Sequence, residues 1–245
     1  MSAAANVCAV IVAGGAGKRF GNPGGKLLID VAGAPLMSWT LRAFDAAECI
    51  GHIVVVCPEG QEEQMRDAAI APYGIETPVT FAPSGAERQD STRSGVEAVP
   101  EGFDYVAIHD AARPLITPAA IEAACVMLEG DPALDGVVCG QPAIDTLKLI
   151  DGDRIVNTPP RERYWCVQTP QVFRLASVAR AHAEACAEGY LGTDDSSLVE
   201  RAGGTVRCIK TARDNIKVTV PEDLALVTTI LLGRLAGGED TPHAL

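Results

Sequence analysis

The run VCAVIVA at Val7–Ala13 passes directly into GGAGKRF at Gly14–Phe20, with Lys26 close behind. The first segment is β-branched and lacks polar alternation, which predicts a strand buried on both faces. Glycines then let the backbone pass close to a ligand, with N–H groups free to face phosphate oxygens. Lys18, Arg19 and Lys26 supply positive charge. The plainer reading is a strand-to-helix turn carrying surface cations.

Two better-known glycine loops do not fit. The dinucleotide fingerprint G-x-G-x-x-G lacks its third glycine, because Phe20 stands there. The P-loop needs a hydroxyl after its lysine. Arg19 follows Lys18 and Leu27 follows Lys26.

Beyond this loop, strand-like and helix-like segments alternate through a chain of 245 residues. That order predicts an α/β fold, a mostly parallel twisted sheet with helices on both faces. Expected helices run from Pro35 to Ala47, Glu62 to Ala69, Asp90 to Val99, Thr117 to Gly130 and Leu175 to Glu188. Others follow Thr193 and Pro221. Expected strands are His52–Cys57, Val79–Ala82, Tyr105–His109, Asp135–Gly140 and Thr205–Ile209. Between about residues 144 and 166 the pattern breaks into a β-hairpin with a turn at Asp151–Asp153. Residues 1–235 are expected to form one domain carrying this arm, and residues 236–245 a disordered tail.

A formal net charge of −12 argues against nonspecific nucleic-acid binding. It also means that an anionic ligand must be met by cations gathered locally. Neither a long apolar run nor a signal-peptide layout is present, so no membrane role is expected. The eight cysteines include no C-x-x-C pair and read as reduced core residues of a cytoplasmic protein.

Further clusters carry chemistry. In Gly85–Ser91, the backbone amides and Ser91 can read a base edge, or the segment is only a helix cap. His109–Pro114 closes a buried strand at the sheet edge where α/β proteins bind ligands. There Asp110 can hold Mg²⁺ and Arg113 can fork a phosphate, or the two form a plain ion pair. The hairpin has Asp145 and Thr146 at its start, Arg161 near its end and Thr169–Gln171 just after. Hydroxyls and a cation suit a phosphorylated polyol, and pairing with a second subunit would protect the exposed hairpin. A surface excursion is the alternative. Thr193 and Asp194 suit a substrate site or a helix cap, and Lys217 a phosphate or solvent.

In order and spacing together, these stretches resemble the 2-C-methyl-D-erythritol 4-phosphate cytidylyltransferases of the non-mevalonate isoprenoid pathway. The resemblance runs from about residue 6 to 235. It rests on Ala13–Arg19, Lys26, Glu87–Ser91, His109–Pro114, Asp145–Thr146, Arg161, Thr169–Gln171, Thr193–Asp194, Asp214–Thr219 and Pro221–Leu224. It implies a Rossmann-like nucleotidyltransferase fold, CTP as co-substrate, Mg²⁺ as the metal and a homodimer joined by the β-hairpin arm. By this resemblance Ala13, Gly14 and Gly15 contact CTP, while Gly85, Ala86 and Ser91 read cytosine. Arg19, Lys26 and Lys217 surround the α-phosphate as the catalytic cations. Asp110 lies near ribose, metal and acceptor. Arg113, Thr146, Arg161, Thr169, Thr193, Asp214 and Lys217 form the methylerythritol phosphate site, with Arg161 contributed across the dimer.

Two positions depart from the family pattern. An inserted glycine pair precedes Lys26, and Ala86 replaces a residue often polar. Three other readings share parts of the pattern: a ribitol 5-phosphate cytidylyltransferase, a uridylyl or guanylyl transferase of similar fold, and a nucleotide-binding regulatory protein without turnover. Arg19, Lys26, Asp110 and Lys217 argue against the last, since a pure binder need not keep cations at the α-phosphate.

Overall fold

The computed structural model describes residues 6–15, 20 and 25–238. Lys18, Arg19 and the expected tail from residue 239 onward lie outside the described residues.

Strand β1, Val7–Val12, is followed by the short ladder of β2, Asp30–Val31, and β3, Ala34–Pro35. Helix α1, Leu36–Asp45, leads to β4, Ile50–Cys57. Next come α2, Glu62–Met65, extended by a wider turn over Arg66–Ile70, and β5, Val79–Pro83. Then follow α3, Arg88–Glu97, β6, Tyr105–Asp110, α4, Pro118–Glu129, and β7, Gly136–Pro142. Strands β8, Leu149–Asp151, and β9, Arg154–Asn157, form the hairpin. The chain closes with β10, Trp165–Arg174, α5, Leu175–Ala187, α6, Asp195–Arg201, β11, Val206–Lys210, and α7, Glu222–Gly237.

Seven strands make one sheet in the order β11-β7-β10-β6-β1-β4-β5. All neighbours are parallel except β10, which runs antiparallel to both β6 and β7. Period-two alternation sends Val7, Ala9 and Ile11 to one face, against Met37 and Phe44 of α1 and Ile121 and Leu128 of α4. It sends Cys8 and Val10 to the other, against Val96 of α3, Val178 of α5 and Leu198 of α6. A third cluster joins Val31, Trp39 and Leu115 to Val218 and to Val227 and Leu231 of α7.

Local chemistry explains the boundaries. Thr117 caps α4 by accepting the Ala120 N–H at 3.3 Å, with proline at the first helical position as expected. In α3 the cap is Glu87, earlier than the sequence suggests. Its N–H donates to Asp90 Oδ2 at 3.2 Å, so Asp90 stands at the third helical position. Strand β10 is the main departure from the sequence reading. The sequence reading places Thr169–Gln171 just after the hairpin and names no strand before the helix at Leu175. The structure instead carries the chain through them, and the ladder with β7 shifts register between Val167 and Gln171. An irregularity of this kind accommodates a proline, which has no N–H to donate.

Gly95 lets α3 lie close on the sheet. A Cβ there would stand 2.4 Å from a Val10 methyl and 2.6 Å from a Val56 methyl. Gly233 of α7 has nothing within 4 Å of its would-be Cβ. Alanine adds about 0.5–1 kcal/mol to a helix interior, but overpacking costs about 1–3 kcal/mol. Gly95→Ala is therefore expected to lower stability and Gly233→Ala to raise it. Urea titrations with unchanged m-values check both, and equal shifts of the same sign would refute the packing argument.

Candidate active site

The chain returns to the sheet centre after β5, so β6 lies on one side of β1 and β4 on the other. Such a reversal opens a crevice at the C-terminal strand ends. Here Val12 stands in register with Asp110, and the Ala111 N–H donates to the Val12 carbonyl at 3.1 Å. A cleft of about 480 Å³ opens at this point. Ala13, Gly14, Gly15, Lys26, Gly85, Ala86, Ser91, Asp110 and Lys217 line it, together with Arg88. These are all the described residues expected around the nucleotide.

Its floor depends on two close approaches. A Cβ on Gly14 would fall 2.2 Å from Ser84 Cβ, and one on Gly85 would fall 2.2 Å from Asp90 Cβ. Glycine is what lets the β1 and β5 loops pack edge to edge. The Ser91 hydroxyl accepts the Gly85 N–H at 3.0 Å and donates to the Glu87 carbonyl at 3.1 Å. In this structure Ser91 thus fixes the shape of the loop expected to read the base. Lys26 Nζ donates to the Val218 carbonyl, next to Lys217.

At the centre sits Asp110, only 7 % exposed. Its Oδ1 lies 3.3 Å from Arg88 Nε, and its Oδ2 lies 2.8 Å from Lys217 Nζ and 3.7 Å from Arg113 Nε. Burial alone would push the carboxyl up. The Arg88, Lys217 and Arg113 charges overrule it and hold the group far below the usual carboxylate range. Arg88 is itself shared, with Nη1 2.8 Å from Asp195 Oδ2. Burial opposes the guanidinium charge, but Asp195 and Asp110 together hold its pKa above the ordinary value.

Behind Asp110 a neutral network sets the strand end. The Thr169 hydroxyl accepts the Asp110 N–H at 3.1 Å and lies 3.1 Å from His109 Nδ1. His109 Nε2 lies 3.3 Å from the Arg113 carbonyl, which assigns the ring proton to Nε2. Asn215, buried, donates to Gln168 Oε1 at 3.1 Å and to the Thr169 carbonyl at 2.9 Å. The Asn215 backbone carbonyl accepts from Arg113 Nη1 at 2.8 Å.

The remaining expected residues are spread more widely. Thr193 is exposed beside a small recess shared with Arg88, and Asp194 caps α6 by accepting the Ser197 N–H at 3.0 Å. Thr146 and Arg161 are exposed on the arm, where Arg161 Nη1 donates to the Ile144 carbonyl at 2.7 Å. Asp214 faces α7, paired with Arg234 Nη2 at 2.8 Å. Sequence reasoning missed the roles of Arg88, Asp195, His182 and Asn215. Arg88 and Asp195 are 107 positions apart, so no local pattern joins them.

Among the described residues no group of three or more His, Cys, Asp and Glu side chains could hold a metal by itself. Mg²⁺ asks for less, because it is commonly held by one or two carboxylates with substrate phosphates completing the shell. Asp110, ionised and lining the cleft, fits that demand.

Residues 7–233 match the family model for 2-C-methyl-D-erythritol 4-phosphate cytidylyltransferase. The chain is 40 % identical over 228 residues to the protein of that name from Syntrophotalea carbinolica, covering 92 % of this chain and 96 % of the relative. It is 41 % identical over 235 residues to that from Geobacillus thermodenitrificans, covering 94 % and 99 %. Among solved structures, the 4-diphosphocytidyl-2C-methyl-D-erythritol synthase from Anaerococcus prevotii superposes with a TM-score of 0.81 at 25 % identity, covering 92 % of this chain and 98 % of that one. The 2-C-methyl-D-erythritol 4-phosphate cytidylyltransferase from Thermus thermophilus gives 0.72 at 30 % identity, covering 91 % and 98 %.

His109 offers a pH test of the buried network. Burial, helped by Arg113 and opposed by Asp110, pushes its pKa from 6.5 down to about 3. Between those values the unfolded chain binds a proton that the native state refuses, so stability is lost as pH falls below about 6.5. One such group contributes a slope approaching 1.4 kcal/mol per pH unit. Urea denaturation of His109→Asn should show a shallower loss than the parent between pH 6 and 4. Identical slopes would mean that His109 is not held neutral.

Proposed function

Since the chain belongs to the 2-C-methyl-D-erythritol 4-phosphate cytidylyltransferase family, we propose that it transfers CMP from CTP to 2-C-methyl-D-erythritol 4-phosphate, yielding 4-diphosphocytidyl-2-C-methyl-D-erythritol and pyrophosphate. The observation that carries this reading is the cleft at the sheet reversal, where Lys26 and Lys217 converge beside Asp110.

The chemistry follows from charge. A phosphate monoester is already an oxygen nucleophile and needs no strong base. Its oxygen forms a bond to the α-phosphorus of CTP, the bond from that phosphorus to the bridging oxygen breaks, and pyrophosphate leaves in line. The obstacle is repulsion between two anions. Lys26 and Lys217, with Arg19, offset charge on the α-phosphate oxygens as it is redistributed. Lys217 approaches Asp110 with about a third of its side chain exposed, so it can meet an incoming phosphate. Mg²⁺, held by Asp110, would supply further charge neutralisation on the phosphates.

The nucleotide half of the site is read as Ala13–Gly15 for CTP and the Gly85–Ala86 backbone, shaped by Ser91, for cytosine. Arg113, Thr146, Arg161, Thr169, Thr193 and Asp214 are assigned with Lys217 to the acceptor. For Thr169 and Asp214 the assignment is through position, since both already bond within the protein. Residues 1–235 are taken to work as one domain. A cytoplasmic location is part of the same reading, since cysteines without a C-x-x-C pair suit a reducing compartment.

The arm supports a homodimer. Ile144, Leu149, Ile150, Ile155 and Val156 are each more than half exposed. Apolar side chains concentrated on a two-stranded hairpin call for a covering surface. A second copy would cover them and bring Arg161 to the neighbouring cleft.

With CTP and Mg²⁺, pyrophosphate release is expected with methylerythritol phosphate and not with ribitol 5-phosphate; the reverse would move the acceptor to ribitol. Lys26→Ala should keep its melting temperature and lose on the order of 10²–10³ in kcat. Full turnover in that variant would remove Lys26 from the mechanism. Ile150→Asp with Ile155→Asp should shift sedimentation from dimer to monomer and lower activity. A monomeric parent with full activity would end the role given to Arg161.

A further inference from the structure

Arg88 is held from behind as well as from the cleft. Its Nη1 meets Asp195 Oδ2 at 2.8 Å, while the other oxygen of that carboxylate lies 3.2 Å from His182 Nε2. The Asp195 and His182 side chains are each 1 % exposed. They come from α6 and α5, on the sheet face opposite α1 and α4. Neither lines the cleft around Asp110. A buried carboxylate is costly unless paired, and here burial, which alone would raise the Asp195 pKa, is outweighed chiefly by Arg88 and His182. The row therefore runs His182, Asp195, Arg88, Asp110, with donors and acceptors alternating.

We infer that Asp195, oriented by His182, is a positioning residue for the transfer reaction. It shares the Arg88 guanidinium and thereby fixes where Arg88 and Asp110 stand in the cleft. This rests on the function proposed above.

The geometry gives the reason. A guanidinium presents donors in a rigid fork, so two carboxylates at its Nε and Nη1 set both its position and its plane. If Asp195 loses its charge, Arg88 has Asp110 as its one strong partner. It is then freer to turn, and it binds Asp110 more closely. The cleft also becomes more positive. Affinity for anionic CTP should hold or rise while turnover falls. Simple loss of structure would weaken both.

The test is a double-mutant cycle of Asp195→Asn and Arg88→Gln, with CTP binding measured by calorimetry and turnover by pyrophosphate release. Asp195→Asn is expected to lower kcat on the order of 10–100-fold, as expected for a displaced reactive group, with CTP affinity unchanged or tighter. In the Arg88→Gln background it should add little, since residues acting through one another are not additive. The Arg88 Nη–H resonances, which include the proton held by Asp195, should be slow to exchange in the parent and faster in Asp195→Asn. That signal decides the positioning role even if the parent releases no pyrophosphate, a result that would instead remove the proposed function. His182→Phe replaces Asp195→Asn in the cycle if the latter does not fold. Additive losses, parental kcat in the single variant, or an unaltered Arg88 signal would each overturn the inference.

Discussion

A carboxylate as enclosed as Asp110 stays charged only where cations repay its lost hydration, and here three do so from separate parts of the chain. Arg88 comes from the start of α3, Arg113 from the turn after β6, and Lys217 from the segment before α7. Each must be delivered to within a few ångströms. The requirement reaches far into the fold. The third apolar cluster packs Val218 beside Leu115 and Trp39, and the Val218 N–H donates to the Ala112 carbonyl at 2.9 Å. Lys217 is therefore carried by a segment stitched to the very turn that bears Arg113. Lys26 closes the same junction through the Val218 carbonyl.

The strand end bearing Asp110 is held with equal economy. Thr169 accepts its backbone N–H, and the hydroxyl proton is left for His109. That arrangement works only while His109 is neutral at Nδ1, and complete burial keeps it so. Thr169 reaches this position because β10 enters the sheet between β6 and β7. The one antiparallel strand in the sheet thus places a polar residue where a wholly parallel arrangement would have required another long crossover.

Much of this was legible beforehand because it rests on short-range signals. Period-two and unbroken apolar runs mark β1, β4 and β6; proline and threonine mark the start of α4; glycines mark the loops that must pack closely. The residues at the centre of the cleft were legible for the same reason, since Ala13–Gly15 and Gly85–Ala86 follow strand ends, Asp110 closes one, and Ser91 lies in the first turns of the helix after the second loop. Two things were not. Strand β10 contains Pro170, which reads locally as a breaker and is tolerated through a register shift that only the folded neighbours define. The partnership of Arg88 with Asp195 and His182 depends on α3, α5 and α6 meeting on one face of the sheet. A lone arginine after a glycine loop gives no sign of that.

An acidic chain that handles anions needs its charges sorted in space, and the cleft shows how that is done with few residues. Cations crowded together without counter-charges would repel one another and splay toward solvent. Asp110 and Asp195, one at the cleft and one behind it, keep Arg88, Arg113 and Lys217 together in a low-dielectric setting. They offset only part of the charge they gather, so the cleft remains positive against a chain whose formal net charge is −12. Oppositely charged groups fixed before a ligand arrives need little rearrangement when it binds, which is where preorganised sites gain most of their effect. On the proposed function, the acidic residues of the site thus serve the binding of phosphate as much as the basic ones do.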